Sequence, residues 1–432
     1  MKLFVRALGV AVGSYVALGA WASSGVIELE RPEIDEATKA AISAFNADPS
    51  PETLAALKES IAANYDAVVA RKIDKLHELE ETARDQALVD EMQEIVDDML
   101  EFKWQRVDQN VIRFADKRFR ADYRTPVEGF LPLLGGAADL YIAYTPVTNE
   151  AYAAFDPAHT FAADEADHPV VNVSYDDALA YCAFLTETSP NYTYTYRLPS
   201  QEEWELAAGH MPKDASINAA GVFPSTTAVT TCYELYGNSA VAACGALDMW
   251  GNVWEWTTTE AEAGQQKVKG GAFDAERSEC RTEERGIALT AAERYPNVGF
   301  RVLRAKNWPA AVLQDANAAR WLEAHVPELL PLAPADYALL DADSDGDGMS
   351  TWQEYIALSD PNDASSSLRA TLAFDAANTP IPGHTLTPYA SRTYTLYGKV
   401  SLSDPVWLEV RDNAASYHFF KVEVSLNSLP AN

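Results

Sequence analysis

Between Glu52 and Thr125 the chain contains neither glycine nor proline, and apolar residues recur at steps of three and four: Val69, Ile73 and Leu76, then Leu88, Met92, Ile95, Met99 and Phe102. That period is helical, and the phase slips between the two runs, which predicts two antiparallel helices within residues 33–125 rather than one rod. The 4-3 steps also suit coiled-coil packing, so self-association through this segment is an expected possibility. His77 reads as a solvated helix residue. After Thr125-Pro126 the pattern changes to short strands, aromatics and turn residues as far as Arg304, an α+β texture assigned to a domain at 130–305. Residues 306–365 read as a helical linker with an acidic loop. From 366 to 432, apolar and polar residues alternate, as in Tyr394-Thr395-Leu396-Tyr397 and Phe419-Phe420-Lys421-Val422, which predicts a small β-sandwich. The chain is therefore multidomain.

Composition narrows the function classes. Its 33 basic and 64 acidic residues give a net charge of −31, which repels nucleic-acid phosphates and anionic bilayers. At the start, Lys2 and Arg6 precede an apolar run from Ala7 to Ala20, followed by Ala20-Trp21-Ala22. This is the pattern of a signal peptide over residues 1–22, although an uncleaved anchor is the alternative. The mature protein is expected to be periplasmic or secreted, with no membrane span after signal cleavage.

Several signatures then occur in one order: Pro146-Val147-Thr148-Asn149-Glu150, His168-Pro169-Val170-Val171-Asn172-Val173-Ser174-Tyr175, Arg197-Leu198-Pro199-Ser200 with Glu202-Glu203-Trp204-Glu205, Asp248-Met249-Trp250-Gly251-Asn252-Val253-Trp254-Glu255-Trp256, Gly270-Gly271-Ala272-Phe273, and Asn297-Val298-Gly299-Phe300-Arg301. This set resembles the formylglycine-generating enzyme, or sulfatase-modifying factor, family over roughly Tyr141 to Arg304. The resemblance implies a variant of the C-type lectin-like fold. It also implies a calcium ion held by the side chains of Asp248 and Glu255 and the carbonyls of Gly251 and Val253, a mixture of hard oxygen donors that suits that cation. A second family calcium site near Asn218 to Pro224 matches too loosely to carry over. Read from the residues alone, Ser174 and Ser200 are helix N-caps, and Glu203 completes a capping box with Ser200.

The resemblance fails in part at the chemistry. Active members bind copper through two cysteines in a Cys-x4-Cys arrangement after the paired glycines and use oxygen to oxidise a substrate cysteine. Here those positions fall on Ala275 and Cys280. One thiolate cannot provide the two-sulfur site that Cu(I) prefers, which puts copper in doubt and leaves Cys280 as the single catalytic candidate. The related ergothioneine-type sulfoxide synthases use three histidines, a spacing that the helical segment lacks. Of the other cysteines, Cys232 and Cys244 are expected to form a disulfide. Cys182 matches a family cysteine whose partner position is Val302, so it is unpaired or joined to Cys280.

The stretch from Asp343 to Glu354 fits a twelve-residue EF-hand loop position by position. Asp343, Asp345 and Asp347 stand at 1, 3 and 5, Gly348 at 6, Met349 offers its carbonyl at 7, Thr351 is at 9, and Glu354 closes at 12. A solitary extracellular loop is expected to bind calcium at ~10⁻⁴ to 10⁻³ M and to clip modules together. The following Glu354-Tyr355-Ile356-Ala357-Leu358-Ser359-Asp360-Pro361 resembles linkers that precede accessory β-domains of secreted bacterial proteins. Two readings stay open. One is a secreted, catalytically degenerate, calcium-stabilised protein that binds an unidentified protein or peptide. The other is an oxygen-dependent oxidoreductase or protein-modifying enzyme that keeps Cys280.

Overall fold

A computed structural model describes residues 34–82, 86–119, 123–211, 217–220, 230, 242–284, 286–315, 317–366, 371–374, 380–383, 392–410 and 416–426. Residues 1–22, where a signal peptide is expected, lie outside these residues.

Four helices open the described chain: α1 (Glu36–Ala47), α2 (Pro51–Thr82), α3 (Gln86–Glu101) and α4 (Lys103–Ala115). Asp35 caps α1 by accepting the Thr38 amide. Val68, Val69 and Leu76 of α2 pack against Met92, Ile95, Val96 and Met99 of α3, and Tyr65 donates its hydroxyl to the Met99 carbonyl at 2.8 Å. The two helices are antiparallel, as the phase slip requires. Their apolar stripe is satisfied within the chain. Helix α4 returns along α1 and the first half of α2, burying Val107, Val111 and Phe114 with Ile42, Phe45, Leu57 and Ile61.

The central domain contains two four-stranded sheets. One has the order β1 (Phe130–Pro132), β2 (Tyr141–Ala143), β8 (Leu303–Lys306), β3 (Tyr194–Arg197), all antiparallel. The other has the order β6 (Ile287–Thr290), β5 (Gln265–Lys269), β4 (Trp254–Glu262), β7 (Val298–Gly299), with β4 and β7 parallel. Around them lie α5 (Asn149–Ala153), α6 (Tyr175–Thr188) and α7 (Gln201–Ala208). Ser174 and Asp177 form a capping box on α6, and Ser200 and Glu203 form one on α7. Because each serine satisfies an otherwise orphaned amide, Ser200→Ala should lower stability by about 1 kcal/mol, read as a shift in urea midpoint at unchanged slope.

Beyond β8 come α8 (Trp308–Val312), α9 (Ala318–His325) and α10 (Thr351–Ala357). The described part of the tail forms two antiparallel sheets. One pairs β9 (Thr371–Phe374) with β10 (Pro380–Gly383), and the other orders β12 (Leu408–Glu409), β11 (Arg392–Lys399), β13 (Phe419–Leu426). This tail is not a detached appendage. Leu408 and Tyr417 are buried in the core built by α1, α2 and α4, and Val424 packs on the cluster containing Tyr355 and Ile356 of α10.

Candidate functional site

Two places in the fold carry candidate chemistry, and the first is the tryptophan-rich turn leading into β4. Asp248, Gly251 and Asn252 all adopt positive φ, at 53°, 74° and 70°. Gly251 has no alternative, since a Cβ there would lie 2.4 Å from the Asn218 carbonyl oxygen. The Asn252 side chain accepts the Thr230 amide and donates to the Thr230 carbonyl, and it accepts from Asn218 Nδ2 while its backbone amide donates to the Asn218 carbonyl, stapling this turn to Thr230 and to the 217–220 segment.

Glu255 is fully buried. Arg301, also fully buried, donates Nε to Oε2 and Nη2 to Oε1 of Glu255, both at 2.7 Å, and Trp204 donates Nε1 to Oε2 at 2.8 Å. Arg301 also donates to the Ala143 and Leu247 carbonyls. Burial lowers the guanidinium's proton affinity, but the paired carboxylate outweighs this and holds it above its ordinary range. The Gly251 carbonyl is engaged by the Val253 amide at 2.9 Å. Of the set Asp248, Gly251, Val253 and Glu255, the Glu255 carboxylate is thus an internal counter-ion whose partner Arg301 also ties the turn to β2, while the Gly251 carbonyl keeps a second lone pair. A sequence shows that Glu255 and Arg301 exist but not that they meet, since 46 positions separate them.

At the positions expected for copper, Ala275 is buried and Cys280 ends a short 3₁₀ turn at Arg277–Cys280. The Cys280 thiol is fully buried, donates to the Glu276 carbonyl at 3.5 Å, and lies so close to Gly271 that a Cβ there would come within 2.3 Å of Sγ. Burial pushes the thiol up to about 12, the direction opposite to an activated nucleophile. One inert thiol beside an alanine does not fit copper, and no step is derived through it. Cys182, Cys244 and Cys280 are free and buried. Cys232, the expected bridge partner of Cys244, lies outside the described residues, and the Cys244 sulfur accepts the Ala246 amide at 3.4 Å. Cys182 is also pushed up to about 12 by burial. None of these three should be alkylated in the native chain during the time in which the urea-unfolded chain reacts completely, as mass mapping of labelled peptides would show.

The second place is the acidic loop before α10. One carboxylate oxygen from each of Asp343, Asp345 and Asp347 lies within 4.8 Å of the others. Asp343 accepts the amides of Gly346 and Gly348, at 2.8 and 3.0 Å, and those glycines take φ of 80° and 95°. Asp345 accepts the Asp347 amide, and Asp347 accepts that of Met349. The loop is wound by its own carboxylates, leaving Oδ2 of Asp345, Oδ2 of Asp347 and Oε2 of the fully buried Glu354 without hydrogen-bond partners. Burial and the charges of Asp345 and Asp347 push Glu354 up to about 7. Buried, crowded carboxylate oxygens of this kind fit a hard divalent cation. Asp343, Asp345, Asp347 and Glu354, with the Met349 carbonyl, are the residues that would hold it. The Thr351 hydroxyl donates to the Ala342 carbonyl at 3.2 Å, closing the loop neck. Next to it Trp352 stacks on Trp308 at 5.6 Å and donates to Asp341. The loop is thereby tied to the end of the central domain.

Comparison with known proteins agrees with the motif order. Residues 136–306 match the family described as Sulfatase-modifying factor enzyme 1-like domain. A Formylglycine-generating enzyme of Mycobacterium tuberculosis is 38% identical over 115 residues, 23% of this chain and 36% of that protein. An Inactive C-alpha-formylglycine-generating enzyme 2 of Bos taurus is 31% identical over 163 residues, 32% of this chain and 50% of that protein. The chain thus spans between about a third and a half of these relatives. A Hercynine oxygenase of Mycobacterium tuberculosis is 35% identical over 107 residues, 22% of each chain. Residues 136–306 of this chain are a sulfatase-modifying factor enzyme 1-like domain.

Proposed function

We propose that this is a secreted or periplasmic binding protein in which a catalytically degenerate sulfatase-modifying-factor domain, a variant of the C-type lectin-like fold, serves as a recognition surface, and that the acidic loop holds a structural calcium ion. The observation that carries the reading is the vacated thiol pair: Ala275 stands where a copper thiolate should be, and its former partner Cys280 is buried and inert. The similarity to a relative named as inactive points the same way. Secretion rests on residues 1–22; among the described residues no helix is long and apolar enough to cross a membrane. The ligand is a protein or peptide. Among the described residues of the N-terminal helices, Leu100 and Trp104, exposed one turn apart at the α3–α4 junction, offer apolar surface for self-association.

The test is turnover. Cysteine-containing peptides are incubated with the full chain, oxygen, a thiol reductant and copper, and aldehyde formation is followed by mass spectrometry. The expected result is none above a Cys280→Ser control. Oxygen-dependent aldehyde that disappears in Cys280→Ser would establish the enzyme reading instead.

A further inference from the structure

One strand edge of the central domain is left open, and neither candidate site uses it. Strand β6 (Ile287–Thr290) is the outer member of the sheet β6-β5-β4-β7. It pairs with β5 without a bulge, Thr290 opposite Gln265 and Ile287 opposite Val268. Ala291 donates its amide to the carbonyl of Gly264, the next opposed pair, at 3.0 Å. Bonded and non-bonded pairs alternate in an antiparallel ladder, so Leu289 and Ile287 also turn their backbone groups inward, and Ala288 and Thr290 turn theirs outward. The Thr290 carbonyl is taken by the Glu293 amide. The amide and carbonyl of Ala288 and the amide of Thr290 have no partner among the described residues, and both residues are exposed.

The other edges of this domain are closed. Both backbone groups of Phe130 in β1 are bonded to Val127, and Pro132 has no amide to offer. Along β3, the hydroxyls of Ser189 and Thr186 accept the amides of Tyr194 and Tyr196. Strand β7 is two buried residues. An open edge is a template for another strand, and proteins normally blunt it with lysine, proline or a bulge. The run Ile287-Ala288-Leu289-Thr290 carries none of these. On the face shared by alternate positions, Leu289 packs on the core while Ile287 stays 38% exposed, a place for an apolar side chain of an added strand. Glu284 and Glu293 are exposed before and after the strand, and Glu260 and Glu262 are exposed on β4 of the same sheet. Against them stand Lys267, opposite Ala288, and Arg294, which Asp177 holds at 2.8 Å.

We propose that β6 is a docking edge that takes an extended protein segment, with an apolar centre and basic ends, as a further strand of the sheet. The inference rests on the reading of the chain as a protein- or peptide-binding protein, and it names the surface and the form of the ligand. Main-chain bonds to Ala288 and Thr290 supply affinity without regard to sequence, while the Ile287 face and the flanking glutamates select the side chains. A second copy of this chain is the poorer occupant, because each copy carries a net charge of −31 and brings its own Glu284 and Glu293 to the contact.

The probe is a short labelled peptide of alternating valine and threonine with lysines at both ends, titrated onto the full chain and followed by fluorescence anisotropy. Saturable binding is expected below about 1 mM, and its absence overturns the proposal. The same peptide with glutamates in place of the lysines should bind about tenfold more weakly or worse, and equal binding overturns the proposal. Ala288→Pro removes an outward amide at an edge, where proline costs no ladder bond, and should weaken binding by about tenfold or more at an unchanged urea midpoint. Equal binding by Ala288→Pro overturns the docking edge but leaves a peptide-binding protein, whereas aldehyde formation that depends on Cys280 overturns that underlying reading. If Ala288→Pro does not fold, the peptide with its central amides N-methylated, which cannot join a ladder, is titrated onto the wild type, and binding as tight as the parent's overturns the proposal. A wild type that is dimeric in light scattering beside a monomeric Ala288→Pro gives the edge to a second copy and overturns it as well.

Discussion

Replacing Glu255 by alanine destabilises the chain by about 3–5 kcal/mol, because it leaves the Arg301 guanidinium in the core with no counter-charge. Glu255, Arg301 and Trp204 are all fully buried, and the carboxylate receives three hydrogen bonds. Glu255→Gln keeps the shape but loses the charge, and should fall between wild type and Glu255→Ala. Urea unfolding at pH 7 gives the values, and failure of Glu255→Ala to accumulate as folded protein agrees with the upper end. A loss below 1 kcal/mol, or a loss that chelating calcium from the wild type reproduces, would return Glu255 to the role of metal ligand.

The second large effect is calcium at the acidic loop. With affinity in the range of solitary extracellular loops, ~10⁻⁴ to 10⁻³ M, 10 mM calcium should stabilise the wild type by about 1.4–2.7 kcal/mol. Magnesium should do much less, because it demands a smaller, octahedral site. Glu354→Gln should lose most of the increment, since Glu354 brings the buried Oε2 that has no partner within the chain. Thr351→Ala should keep calcium binding, because that hydroxyl is on the Ala342 carbonyl. Titration followed by tryptophan fluorescence reports the site directly through the Trp308–Trp352 stack. Equal responses of wild type and Glu354→Gln would remove the loop from the account.

What the sequence discloses, and what it does not, divides by range. Helix caps at Ser174 and Ser200, the antiparallel α2–α3 pair and the carboxylate spacing of the 343–354 loop are local, and the residues involved stand within a few turns of one another. The Ala275 departure is legible because paired glycines set the count to it. The Glu255–Arg301 pair is not legible, because Arg301 lies 46 positions away, just past a short strand whose parallel pairing with β4 no spacing rule contains. The charges that join α3 to the central domain could not be read at all: Asp98 accepts from His210, 112 positions away, and from Arg281, 183 away. The tail's burial of Leu408 and Tyr417 against α1, α2 and α4 is equally long-range, and it turns an expected accessory module into part of the core.

The most direct test of the central claim, a sulfatase-modifying-factor domain without its copper chemistry, is elemental analysis of the full-length protein purified in the presence of calcium and copper, with thiols counted on the same sample before and after denaturation. The account requires calcium, no stoichiometric copper, and no native reactivity at Cys182, Cys244 or Cys280. One copper per chain, lost together with a reactive thiol in Cys280→Ser, would contradict it.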